Sequence, residues 1–131
     1  MKRSDLARNA DGGLETYSFI NATRNVPLAD RGRLAANAWL RFKGLLGSKS
    51  LANGEALLIR PCQSVHTLFM VYPIDVLFVN RDSRIVHLYH SLRPFRISRL
   101  VFRAKYVIEL PAGTIERTHT TVGDLLRIEK L

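Results

Sequence analysis

The stretch PCQSVHTLFMVYPIDVLFVN, residues 61–80, concentrates the side chains that could do chemistry. The only cysteine, Cys62, stands four positions before His66, Met70 follows four later, and Asp75 interrupts an apolar run. On a helix, residues four apart share one face, about 6 Å apart along the axis. Cys62, His66 and Met70 would then offer sulfur, nitrogen and sulfur ligands to a soft ion such as Cu(I). On a strand the same spacing spans about 13 Å, so the three could neither reach one ion nor exchange a proton. The β-branched and aromatic residues of 64–72 favour a strand. That assignment argues against the metal and against a Cys62–His66 pair, unless a kink after Pro61 turns Cys62 back. With a single cysteine, and with His87, His90 and His119 at no ligand spacing, neither a metal nor a cofactor is expected. The plainer readings are a small buried thiol for Cys62, a hydrogen-bonded structural imidazole for His66 and a core side chain for Met70.

Asp75 is more informative. A carboxylate among Ile74, Val76, Leu77, Phe78 and Val79 is costly to bury unless it is paired or hydrogen-bonded. Backbone N–H groups at the bend after Pro73 are one possible partner, and an arginine is the other. Arg41, just before Gly44-Leu45-Leu46-Gly47, is the favoured arginine. Alternation could instead turn Asp75 to a wet face. Glu109, ahead of the Leu110-Pro111-Ala112-Gly113 corner, poses the same question.

The elements that must position these residues follow from pattern. The polar residues 1–13 read as a loose tail, and 14–131 as one globular domain. LETYSFINA (14–22) alternates as a strand. A main helix is expected near 30–43, with Asp30 as N-cap and Leu34, Ala38 and Phe42 near helical spacing. ALLIR (56–60), IDVLFVN (74–80), RIVHLYH (84–90) and YVIEL (106–110) read as strands, with NRDS as the turn of a hairpin. RISRLVFRAK reads as a short helix or a loop, and the C-terminus as a Gly-Asp turn and a final strand. These elements predict a β-rich α+β domain of six or seven short strands, with a partly closed barrel-like sheet and one main helix.

Charge adds a second feature. Twenty Lys and Arg against eleven Asp and Glu give +9, and fifteen of the twenty are arginine. RPFRISRLVFRAK holds Arg93, Arg96, Arg99, Arg103 and Lys105 without an acid. It reads either as a patch for nucleic acid, anionic lipid or an acidic partner, or as a solvated loop whose arginine stems cover apolar surface. No signal-like apolar stretch follows the basic N-terminus, and no window approaches a transmembrane length. A cytoplasmic location is expected from the sequence as it stands, and export would require a signal removed from it.

RFKGLLG (41–47), GEALLIRPCQSVHTLFMVYPIDVLFVNRDSRIV (54–86), VIELPAGT (107–114) and VGDLLRI (122–128) together resemble the uncharacterised DUF family 192. The resemblance covers most of 41–128 and implies a small β-rich prokaryotic domain with one main helix, but no activity. Many members carry export signals or lipid anchors. Other branches show an aromatic–Met pattern without this Cys and His, while the Met and Asp positions recur. That implies a shared role for Met70 and Asp75, and weighs against a mechanism that requires Cys62 or His66.

Three functions are weighed. The first is a non-enzymatic binding or accessory domain for a small ligand or peptide, with a cleft near Arg41, His66, Met70, Asp75 and Glu109. The second is a hydrolase or transferase that uses His66 as base with Asp75 as its orienter or Cys62 as nucleophile. The third is binding of an anionic polymer or membrane surface by the arginines of 93–105.

Overall fold

The structure, a computed structural model, describes residues 16–35, 51–65, 67 and 71–131. Seven strands form one sheet: β1 (Tyr17–Asn21), β2 (Val26–Ala35), β3 (Glu55–Ile59), β4 (Ile74–Val79), β5 (Ile85–Leu92), β6 (Tyr106–Pro111) and β7 (Leu126–Lys130). A five-residue helix, α1 (Thr114–Thr118), separates β6 from β7. The strand order is β5-β4-β6-β3-β2-β1-β7. Every neighbouring pair is antiparallel except β2 with β3.

Both faces of the central strands are covered. All six residues of β4 are buried, which is why IDVLFV reads as a nearly continuous apolar run rather than as an alternation. Strand parity sorts the core into two clusters. Leu57, Ile59, Ile74, Val76, Phe78 and Val107 pack on one face. Ala56, Leu58, Leu77, Val79, Ile108 and Leu110 pack on the other, together with Phe19, Ile85 and Ile115. Gly32 lets β2 approach β1 closely: a Cβ there would lie 2.5 Å from the Phe19 ring.

The sheet curls until its two edges touch at one end. Ile85 of β5 donates its N–H to Asp124 O (3.0 Å) and accepts from Gly123 N–H (2.8 Å), while Leu126 of β7 donates to Ser83 O (2.8 Å). An isolated antiparallel bridge joins Arg84 to Leu125. The result is a half-barrel. The expected strand count and partly closed sheet are present. The β4–β5 hairpin is also as read, its turn tied by Asn80 Oδ1, which accepts from the Asp82 and Arg84 amides.

Two local expectations need correction. Residues 30–35 are not the start of a helix; they lie in β2, and Asp30 is no N-cap. Arg31–Ala35 pair in parallel with Glu55–Ile59, and β1 lies against the other edge of β2. The ladder to β3 satisfies the backbone of 31–35, joined by β1 up to Gly32, and overrides the helical spacing. The rest of the expected helix, 36–43, lies outside the described residues, as does the expected tail.

Residues 64–72 are not a strand at their described positions. Gln63, Val65 and Thr67 instead bond irregularly to residues of 95–101. Thr67 exchanges bonds with Arg96 O and Phe95 N–H, Ser98 N–H donates to Val65 O, and Val101 N–H donates to Gln63 O, each at 2.8 Å. Ser98 Oγ accepts the Val65 amide at 2.9 Å, so a hydroxyl replaces a ladder carbonyl. Of the two readings of RISRLVFRAK, the loop holds. Residues 93–105 form a strap laid across the first core cluster, anchored by buried Ser98, Val101 and Ala104.

Candidate functional site

Asp75 is fully buried in β4. Its Oδ1 accepts from Ser91 N–H and its Oδ2 from Ile115 N–H, both at 2.8 Å. The first bond sits at an irregularity where β4 and β5 lose register between Ile74 and Val76, and Ser91 has φ 48°. A bulged residue leaves its amide outside the ladder, and the carboxylate accepts it. The second bond reaches the first turn of α1. Gly113, the N-cap, has no side chain to offer, so a carboxylate 40 residues earlier in the chain takes the orphan amide. Asp75 therefore ties a strand, a bulge and a helix together. The backbone partner weighed for it is present, although the amides belong to β5 and α1 and not to the bend after Pro73.

Glu109 is also fully buried, in β6, but on the other face. It stands opposite Val76 and Leu57, whereas Leu110 stands opposite Asp75. Cross-strand partners share a face and sequence neighbours do not, so the two carboxylates point away from each other across the sheet. The remaining ligand candidates, Arg41, His66 and Met70, lie outside the described residues. Cys62 is half-buried. Its thiol donates to Ser64 O at 3.0 Å and its amide to Lys105 O at 3.1 Å, tying it to the end of the strap. Among the described residues, no three His, Cys, Asp or Glu side chains are grouped to hold a metal.

A second buried polar cluster was not foreseen. Asp124, just before β7, accepts at Oδ2 from Arg24 Nε (2.7 Å), Asn21 Nδ2 (2.9 Å) and the Thr121 amide (3.0 Å). Asn21, itself fully buried, also donates to Thr120 Oγ1 at 3.0 Å. Burial disfavours the Asp124 carboxylate, but these hydrogen bonds and the Arg24 charge outweigh it and hold the carboxyl below its ordinary value. The Val122-Gly123-Asp124 motif is the sequence signal for this cluster, and by itself it shows only a Gly-Asp turn.

The strap carries the opposite character. Phe95 is 65 % exposed, Ile97 70 %, Leu100 48 % and Phe102 78 %. Arg93, Arg96, Arg99, Arg103 and Lys105 are exposed between them. His87, Arg99, Leu100, Phe102 and Arg103 line part of a cleft of ≈ 280 Å³. The His87 ring lies edge-on to Tyr89 at 5.0 Å, and burial, then the Arg99 charge, lower its pKa. Arg60, Arg81 and Lys105, with Pro61 and Tyr106, line a shallow depression of ≈ 500 Å³ beside the end of the strap. The strap is thus a preformed cationic and apolar surface, suited to contact and offering no nucleophile–base pair.

Relatives place this architecture. The family model DUF192, described as an uncharacterised group, matches residues 20–128. A UPF0127 protein of Pyrococcus furiosus is 36 % identical over 116 residues, covering 86 % of this chain and 99 % of that one. A solved structure from Novosphingobium aromaticivorans, a protein of unknown function, superposes with a TM-score of 0.72 at 18 % identity, covering 96 % of this chain and 94 % of that one. Another, from Sinorhizobium meliloti and described as a candidate transcription regulator, gives 0.69 at 26 % identity, covering 86 % and 92 %. No helix among the described residues is long and apolar enough to cross a membrane. With the family model matching residues 20–128 and a relative 36 % identical over 116 residues, this chain belongs to the uncharacterised DUF192, or UPF0127, family.

Proposed function

We propose that this protein is a non-enzymatic binding domain that meets an anionic partner through the strap 93–105. The observation that carries the reading is the exposure of Phe95, Ile97, Leu100 and Phe102 among five cations without an acid. Single exposed apolar side chains are ordinary, whereas four within residues 95–102, interleaved with arginines, favour a contact surface. The catalytic reading loses support for a local reason: both oxygens of Asp75 already hold backbone amides, and the Cys62 thiol faces a carbonyl. A small-ligand cleft that uses Asp75 and Glu109 together is not supported either, because the two side chains occupy opposite faces of the sheet.

The test separates the strap from net charge. Arg96→Glu with Arg99→Glu, and Arg31→Glu with Arg127→Glu, each lower the formal charge of +9 by four. Arg31 and Arg127 are both more than half exposed. On an anionic exchange matrix the strap pair should elute at clearly lower salt than the control pair, because a specific cationic surface concentrates the attraction. Equal elution of the two variants would mean that total charge alone is sensed, and the reading would fail.

A further inference from the structure

Resting on that reading, we propose that the partner of the strap is the surface of an anionic lipid bilayer, with Phe95, Ile97 and Phe102 entering the headgroup–acyl boundary while the arginines hold lipid phosphates. Three features of the strap favour this occupant. The first is the type of its exposed apolar residues. Ile97 and Leu100 are aliphatic, with no π face to stack on a nucleobase, yet both are exposed beside the phenylalanines. Hydrocarbon accepts aliphatic and aromatic side chains alike, whereas single-stranded nucleic acid rewards the aromatic ones.

The second is charge complementarity. Arg93, Arg96, Arg99, Arg103 and Lys105 alternate with the apolar positions, and Arg60 and Arg81 join Lys105 around the neighbouring depression. Arginine holds phosphate oxygens in bidentate fashion. Neither signal alone anchors a protein stably, but apolar insertion together with a polybasic surface does. A formal charge of +9 also opposes a second copy of the chain as the occupant.

The third is rigidity. The strap is bonded to Gln63, Val65 and Thr67 through Phe95, Arg96, Ser98 and Val101, and the Arg99 amide donates to Tyr89 Oη at 2.9 Å. With Ser98, Val101 and Ala104 buried as anchors, the exposed side chains are presented without a separate folding step. The contact is interfacial and does not span the bilayer.

The experiment is co-sedimentation with large unilamellar vesicles, either of phosphatidylcholine alone or with about a third phosphatidylserine. Single-stranded DNA serves as a soluble polyanion in a parallel binding assay. Wild-type protein should partition onto the phosphatidylserine vesicles and not onto the neutral ones. Phe95→Ser with Phe102→Ser should weaken that partition at least about tenfold at constant charge, since two exposed rings lose their burial in the interface. Arg96→Glu with Arg99→Glu should abolish it.

Phenylalanine variants that bind like wild type would overturn insertion. Failure to bind vesicles, together with strap-dependent binding of DNA, would overturn the bilayer as partner while leaving an anionic partner standing. Binding to neither vesicles nor DNA, with equal elution of the two charge variants, would overturn both readings.

Discussion

Two regions of this half-barrel use polar chemistry in opposite directions. Around β1, β4, α1 and the start of β7, carboxylates and amides are turned inward. Asp75 holds the amides of Ser91 and Ile115, and Asp124 holds Asn21, Arg24 and Thr121. In the strap, arginines and phenylalanines are turned outward, and only Ser98, Val101 and Ala104 reach the core. Asp75 and Asp124, both acidic and both buried, therefore hold the fold's own amides and side chains. In the first region the polar groups replace backbone partners that a curled, bulged sheet leaves unmatched. In the second, the apolar groups are left exposed among cations.

The comparison predicts a large stability effect on one side and almost none on the other. Asp75→Ala leaves the buried Ile115 amide and the part-buried Ser91 amide without an acceptor. It should lower unfolding free energy by about 3–5 kcal/mol, read as a shift of the urea midpoint with little change in slope. Because a domain of this kind has only about 5–15 kcal/mol in total, part of that variant's population should be unfolded at 37 °C. A shift within about 0.5 kcal/mol of zero would show that Asp75 holds nothing together.

Asp124→Ala should cost about 2–4 kcal/mol at neutral pH, since it removes one acceptor from buried Asn21, which keeps Thr120, and orphans the Thr121 amide, but leaves the partly exposed Arg24 able to find water. This effect depends on pH. The folded carboxyl titrates below the ordinary aspartate value of 3.8, so its contribution is complete above that value. It is lost as pH falls through the lower, folded-state value. Urea midpoints of wild type and Asp124→Ala should therefore converge in that acid range, and a gap that persists at the lowest pH would assign the stabilisation to shape and not to charge.

The smallest effect belongs to the strap. Phe102 is largely exposed and packs little, so Phe102→Ser should change stability by less than about 0.5 kcal/mol. A much larger loss in thermal or urea unfolding would mean that the ring is part of the core, and the contrast between the regions would blur.

Much of the sheet was legible because it is local. The runs of β3, β4, β6 and β7, the Asn80–Arg84 turn and the hairpin it closes each carry their own pattern. Asp75 announced that it needed a partner, but not which one: its two amides lie 16 and 40 residues away, and only the assembled sheet brings them together. The end of β2 was illegible for a related reason. Leu34 fits a helical spacing, and its strand state is imposed by Glu55–Ile59 alongside. Helix α1 is too short for any periodicity to show. That Asp75 and Glu109 face apart follows from register, which the residues do not announce until β4 and β6 are paired. The basic run 93–105 was visible as charge, but the exposure of its phenylalanines is a property of the fold.

The most direct single test is Asp75→Asn, measured for both urea midpoint and retention on the anionic matrix in one preparation. The amide keeps the size of the carboxylate but only one acceptor oxygen, and its N–H₂ group meets an amide donor. The predicted result is a lower midpoint, by about 1–3 kcal/mol, with retention of the folded fraction unchanged. An unchanged midpoint with retention lost would place Asp75 in the binding surface and contradict the division between the two regions.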